Sequence, residues 1–158
     1  MKTAIYPGSF DPITIGHLDI IRRSARIFDK VVIAILVNTR KIPCFDNEKR
    51  KEMIEKCISD LDNVEVVIKS GLTIDVAKEY DAKVLIRGIR AVADYEYELQ
   101  QATANMTLAN DIETLFMVAK PEYSFLSSSV VKEMAYYHAD LSKVLPKEII
   151  DEVQDKFK

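Results

Sequence analysis

Val31-Val32-Ile33-Ala34-Ile35-Leu36-Val37 runs for seven residues without a polar side chain. A strand with one wet face alternates apolar and polar residues. A run with no alternation reads as a central parallel strand covered on both faces. It is far shorter than the roughly 20 residues needed to cross a membrane. Upstream, Ala4-Ile5-Tyr6 reads as a first strand, followed by a polar loop with two prolines. Leu18, Ile21, Ala25 and Phe28 then recur at spacings of three and four, the face of a helix. Downstream, a loop from Asn38 to Phe45 leads to Asp46 or Asn47 as a helix cap, with Met53, Ile54, Cys57, Ile58 and Leu61 as the buried stripe.

The alternation continues to the end of the chain. Val64 to Ile68 reads as a third strand, and Thr73 as the cap of a short helix carrying Ile74, Ala77 and Tyr80. Val84-Leu85-Ile86 is a fourth strand, with Asp94 as cap of a longer helix that has Leu99, Ala102, Met106 and Ala109 on one side. Leu115 to Val118 is a fifth strand, and Ser127 or Ser128 opens a helix through Val130, Val131 and Met134. Pro146 stands where a first helical turn tolerates proline, ahead of Ile149, Ile150, Val153 and Phe157. Strands alternating with helices imply an α/β fold: a doubly wound, Rossmann-like parallel sheet of five strands with flanking helices and a C-terminal helix. No repeat or linker divides residues 1–158, so a single domain is expected. In such sheets ligands bind beyond the carboxyl ends of the strands, near the switch in strand order.

Composition narrows the chemistry. The chain has 158 residues, 48% hydrophobic and 30% charged, with a net charge of -3. That balance excludes disorder and points away from a general nucleic-acid or anionic-membrane binder. Only four residues are glycine, where ordinary usage would give about eleven. No Gly-x-Gly-x-x-Gly fingerprint and no Walker A loop can be assembled from them. Cys44 and Cys57 are too far apart for a Cys-x-x-Cys motif, and with His17 and His138 they make no zinc signature, so both read as free thiols. The amino terminus meets Pro7 before an apolar signal segment can form, and a cytoplasmic location is expected.

Four stretches follow the strands, where the chemistry should be. Gly8-Ser9-Phe10-Asp11-Pro12 with Thr14-Ile15-Gly16-His17 feeds the first helix, putting a histidine in a first turn whose free N–H groups favour an anion. Arg40 and Lys41 lie after the second strand, as a flexible cation for the same cavity or simply a solvated loop. Arg87-Gly88-Ile89-Arg90 follows the fourth, two forked donors that can reach separate phosphates. Tyr123-Ser124-Phe125-Leu126-Ser127-Ser128-Ser129 opens a helix with three hydroxyls, an anion site or simply a serine cap.

The first of these stretches, the block Arg87-Gly88-Ile89-Arg90-Ala91-Val92-Ala93-Asp94-Tyr95-Glu96-Tyr97-Glu98 and the serine run resemble the bacterial phosphopantetheine adenylyltransferases nearly end to end. Thr-x-Gly-His alone would indicate only the wider nucleotidyltransferase superfamily. The resemblance implies transfer of the adenylyl group of ATP to 4'-phosphopantetheine, giving dephospho-coenzyme A and pyrophosphate by direct in-line attack, without a protein nucleophile. It implies His17, Lys41 and Arg90 as catalytic residues, and Ser9, Lys41, Thr73 and Arg87 as contacts of phosphopantetheine. ATP would meet Ser9, Phe10, His17, Gly88, Ile89, Arg90, Glu98 and the segment Tyr123, Ser124, Phe125, Leu126, Ser127, Ser128 and Ser129. Mg²⁺ would come carried by the ATP phosphates, with no protein metal site. A homohexamer and coenzyme A as a feedback ligand are implied as well. Met106 and Tyr136 stand where some members carry arginine, and Tyr123 where tryptophan is frequent. The rival readings are another nucleotidyltransferase of the superfamily, acting on nicotinate mononucleotide or a glycerol or choline phosphate, and a non-catalytic nucleotide sensor.

Overall fold

A computed structural model describes all 158 residues. The strands are β1 (Thr3–Gly8), β2 (Lys30–Leu36), β3 (Val64–Lys69), β4 (Val84–Ile89) and β5 (Glu113–Val118). The helices are α1 (Ile15–Ile27), α2 (Asn47–Cys57), α3 (Thr73–Glu79), α4 (Val92–Leu108), α5 (Ser128–Tyr136) and α6 (Ile150–Lys156), with 3₁₀ turns at Pro121–Tyr123 and Lys147–Ile149. All pairings are parallel and the sheet order is β3-β2-β1-β4-β5. The order therefore reverses between β1 and β4. This is the doubly wound α/β sheet implied by the strand–helix alternation.

Val31 to Ile35 of β2 have no exposed surface, so the uninterrupted apolar run is a strand between two layers. α1, α2, α5 and α6 bury Ile21, Ile54, Val131 and Val153 against one sheet face, and α3 packs Ile74 and Ala77 on the other. No helix is long and apolar enough to cross a membrane. Both cysteines are free.

β1 and β2 keep register over six positions, but β1 and β4 only over Ala4 with Val84 and Ile5 with Leu85. Beyond those pairs the ladder between the central strands ends. Pro7 has no N–H to offer it, and its carbonyl accepts from Nη1 of Arg87 at 2.8 Å instead. A side chain thus spans the switch point where backbone pairing stops.

Several local expectations are corrected. Thr73 does not cap α3: Leu72 occupies the cap without a side-chain bond, and Thr73 is already helical. Asp94 does not cap α4, which begins after Ala91, also without a side-chain cap; its carboxylate instead turns back to Arg90. Of the proposed α4 stripe, Ala102 and Ala109 are buried, whereas Leu99 and Met106 are exposed. Pro146 precedes a 3₁₀ turn rather than opening α6 directly. Asp46 is the cap of α2, accepting from the N–H of Lys49 at 2.7 Å, and Ser127 the cap of α5, accepting from that of Val130 at 3.1 Å.

Candidate functional site

At the carboxyl edge of β1 and β4 lies a cleft of about 610 Å³. Its floor is the end of β1, and its walls are the starts of α1 and α5, the β2–α2 loop and the β4–α4 corner. Its shape follows from how the first loop is packed. Phe10 has a positive φ of 48°, an uncommon conformation for a bulky residue. Its ring is buried, edge-on to Tyr6 at 5.2 Å and to His17 at 5.1 Å between centroids. A Cβ added at Gly8 would come within 3.0 Å of that ring, so glycine there makes room for the aromatic wall. Gly71 is the glycine with a positive φ, 93°, in the turn before α3.

His17 is held by the helix it starts. Thr14 caps α1, its Oγ1 accepting from the N–H of His17 at 3.2 Å, while Nδ1 of His17 accepts the Thr14 N–H at 3.0 Å. This is a capping box with histidine in the place usually taken by glutamate. Because Nδ1 accepts a backbone N–H, it carries no proton, and the neutral ring must carry its hydrogen on Nε2. Burial, then the charges of Arg90 and Arg87, push the imidazole down to about 4. His17 is therefore a neutral hydrogen-bond donor at physiological pH, placed at a helix N-terminus that already favours an anion.

The two arginines are more committed than their spacing implies. Nε and Nη2 of Arg87 grip both oxygens of Glu98 at 2.7 and 2.8 Å. Burial, the largest single influence, opposes the charge on Arg87, but the bonded Glu98 carboxylate together with Tyr6 and Tyr97 raises the net value. Arg90 pairs through Nε with Asp94 at 3.0 Å and reaches the carbonyl of Leu126 with Nη1. Lys41 reaches the cleft from the β2–α2 loop.

Ser9, Phe10, His17, Lys41, Arg87 and Gly88 all line the cleft. So do Arg90, Glu98, Tyr123, Leu126, Ser127, Ser128 and Ser129. Ile89, Ser124 and Phe125 are not brought to it. The Ser124 hydroxyl donates to the Pro121 carbonyl at 2.9 Å, and Phe125 is exposed. Thr73 lines an adjoining cavity of about 330 Å³, which shares Ser9, Arg87 and Glu98 with the cleft. Two connected spaces thus meet at Ser9 and Arg87.

Three charged residues of the cleft have no role that the sequence assigns them. The buried Asp11 carboxylate accepts the N–H groups of Cys44 and Phe45 at 2.8 and 2.9 Å, and Nζ of Lys132 lies 3.4 Å from it. Arg50, nearly buried, donates through Nη1 to the Ser9 carbonyl at 2.7 Å. Its signal was its position: residues 50, 53, 54 and 57 lie on one helical stripe, and the other three are apolar. Lys132 lies one helical turn beyond Ser128 and Ser129, on the face they already marked.

Comparison with known proteins is consistent with this geometry. A family model described as cytidylyltransferase-like matches residues 5–134. The phosphopantetheine adenylyltransferase of Lachnoclostridium phytofermentans is 53% identical over 157 residues, covering 99% of this chain and 96% of the relative. Those of Gloeobacter violaceus and Clostridium perfringens are 53% and 47% identical, over 98% and 99% of this chain and 96% and 95% of their own lengths. Among solved structures, a Vibrio parahaemolyticus protein provisionally assigned as a nicotinate-nucleotide adenylyltransferase superposes with a TM-score of 0.69, over 100% of this chain and 98% of its own. At 17% identity that likeness speaks for the fold alone.

Proposed function

This chain belongs to the cytidylyltransferase-like family and, within it, to the phosphopantetheine adenylyltransferases, and from that premise we propose how its cleft transfers the adenylyl group of ATP to 4'-phosphopantetheine. An oxygen of the pantetheine phosphate attacks the α-phosphorus of ATP. A new P–O bond forms as the bond to the β-phosphate oxygen breaks, and pyrophosphate leaves with the electron pair. The products are dephospho-coenzyme A and pyrophosphate. No side chain needs to become covalently modified, so catalysis is positioning and charge stabilisation.

The observation that carries this reading is His17, a neutral donor locked by the Thr14 capping box inside the cleft at the switch point. Its Nε2–H donates to a non-bridging oxygen of the α-phosphoryl group as charge gathers there. Lys41 orients the attacking phosphate, with Ser9 between the two substrates. Arg87 and Thr73 line the pantetheine side, consistent with their place on the adjoining cavity. Phe10, Gly88, Glu98, Tyr123 and Leu126 wall the nucleotide. Arg90 and Ser127, Ser128 and Ser129 at the start of α5 take the β- and γ-phosphates. Ile89, Ser124 and Phe125 would serve through the backbone that carries their neighbours.

The cleft carboxylates are engaged: Glu98 with Arg87, Asp94 with Arg90, and Asp11 with two N–H groups and Lys132. They suit Mg²⁺ only as an ion carried by the triphosphate, which it would neutralise. Residues 1–158 act as one nucleotidyltransferase domain in the cytoplasm, binding neither nucleic acid nor membrane. A homohexamer would cover the exposed Leu99, Met106, Leu108, Leu115 and Val118 of α4 and β5. Coenzyme A, sharing the pantetheine arm, would compete as a feedback ligand.

Incubation with ATP, Mg²⁺ and 4'-phosphopantetheine should give dephospho-coenzyme A by mass together with pyrophosphate. Turnover only with nicotinate mononucleotide or a simple phospho-alcohol would move the chain to another acceptor. ATP binding without turnover on any acceptor would make it a sensor.

A further inference from the structure

The segment Ser9-Phe10-Asp11 is tied at both ends to α2 and the loop before it. At one end the Ser9 carbonyl accepts from Nη1 of Arg50 at 2.7 Å, and Arg50 is only 4% exposed. At the other, the carboxylate of the buried Asp11 takes the N–H of Phe45 on one oxygen and that of Cys44 on the other. Charge-assisted bonds of this kind are about twice as strong as neutral ones. Their loss would orphan two backbone donors at a partly buried site.

Lys41 lies in the exposed loop that these bonds close. On the near side, the Val37 N–H donates to the Lys69 carbonyl at 2.9 Å, continuing the sheet. Within the loop, Lys41 has one backbone bond, to the Asn38 carbonyl at 3.2 Å. On the far side the next fixed points are Cys44 and Phe45, both held by Asp11. Pro43 stiffens the short span between Lys41 and Cys44. The negative charge of Asp11 is met by Lys132 of α5, 3.4 Å away, so the same carboxylate touches a third wall of the cleft.

We propose that Asp11 is a positioning residue of the transfer reaction: its carboxylate clasps the Cys44 and Phe45 N–H groups and thereby sets the Lys41 ammonium against Ser9 at the acceptor phosphate. The inference rests on the role given to Lys41 above. Asp11 touches no substrate and acts through another side chain.

The test is a double-mutant cycle with Asp11→Asn and Lys41→Ala. Asparagine keeps the size of aspartate but turns one accepting oxygen into an NH₂ group that faces a donor. In the unmodified chain Asp11→Asn should lower kcat/KM for 4'-phosphopantetheine about tenfold, a misplaced ammonium costing less than its removal. In the Lys41→Ala chain the same change should cost less than about threefold, because the group it positions is gone. Equal costs in both backgrounds overturn this inference alone. A Lys41→Ala chain that transfers at the unmodified rate overturns the role of Lys41 and this inference with it. If Asp11→Asn does not fold, amide hydrogen exchange of the unmodified protein decides. The Cys44 and Phe45 amides should exchange far more slowly than those of Thr39 and Ile42, and equal rates overturn the clasp.

Discussion

α1 and α4 both start at the carboxyl end of a central strand beside the cleft, and they start in opposite ways. α1 is closed by its own side chains: Thr14 caps it and His17 caps Thr14 in return, with no charge on either. α4 starts after Ala91 with no side-chain cap, and its carboxylates, Asp94 and Glu98, reach back to Arg90 and Arg87 on the preceding strand end. One corner therefore offers a neutral donor with nothing to be displaced. The other offers cations that already have counter-charges. Transition-state charge is best met by a group that pays no reorganisation. Holding a ground-state triphosphate can tolerate arginines that share a carboxylate.

The sharpest way to break that contrast is His17→Ala. It removes the donor proposed to meet developing charge while leaving Thr14 as cap, so on that proposal turnover should fall about a hundred- to a thousandfold with far-UV dichroism unchanged. Near-normal pyrophosphate release would show that the neutral corner is not the reacting one. The pH dependence sharpens the same point. With His17 near 4, the rate between pH 6 and 9 should carry no histidine step. Folding responds with the opposite sign from a salt-bridged base. The folded value lies below the ordinary 6.5, so the unfolded chain takes up the proton first, and His17 erodes stability as pH falls from 6.5 to about 4. As pH falls through that window the Tm of the native chain should drop relative to that of His17→Ala; a constant difference would contradict the neutral assignment.

Next in size is Lys41→Ala, which tests the wall opposite both helix starts. It should lower kcat/KM for 4'-phosphopantetheine about thirtyfold or more while ATP affinity stays within about threefold. An ATP isotherm weakened to the same degree would place the lysine at the nucleotide instead.

The neutral corner was legible in the sequence and the charged corner only in part. Gly8, Phe10, Thr14 and His17 interact within a few residues of one another, so spacing carries their geometry. The spacing of Arg87 and Arg90 marks both as phosphate donors, but not that Glu98 and Asp94 pair with them. Four residues apart on a helix, Asp94 and Glu98 share a face. Nothing in the sequence tells which strand end that face meets. Asp11 clasps N–H groups 33 and 34 residues away. Backbone donors have no residue signature, so that contact could not be read at all. The exposure of Leu99 and Met106 was missed for a related reason: periodicity marks an apolar face, not what covers it.

Glu98→Ala tests the charged corner directly. Removing one partner of a buried pair typically costs about 3–5 kcal/mol, and the partial exposure of Arg87 screens some of that, leaving about 2 kcal/mol. For a chain of this length that is a fall in Tm of about 4–8 °C. If phosphate binding requires Arg87 to loosen from Glu98, the Glu98→Ala chain should also bind 4'-phosphopantetheine at least as tightly once folded. Weaker binding would mean that the pair, not the free guanidinium, shapes the site.

The smallest effect is expected at the third helix start, which tells whether α5 belongs with α1 or with α4. Ser127 caps α5 as Thr14 caps α1, by accepting an N–H three residues on. Unlike Thr14, it has no residue capping it in return, and its hydroxyl lies on the cleft. If Ser127 is only a cap, Ser127→Ala should cost about 1 kcal/mol, seen as a drop in Tm of about 2–4 °C. If the hydroxyl also donates to the triphosphate, KM for ATP should rise several-fold while kcat stays put, since the contact holds ground state and transition state alike. Ser127→Asp separates the two: it restores a cap but sets a negative charge against the phosphates. Stability recovered with ATP binding lost would put α5 among the phosphate-holding walls. Recovery of both would leave Ser127 a cap and nothing more.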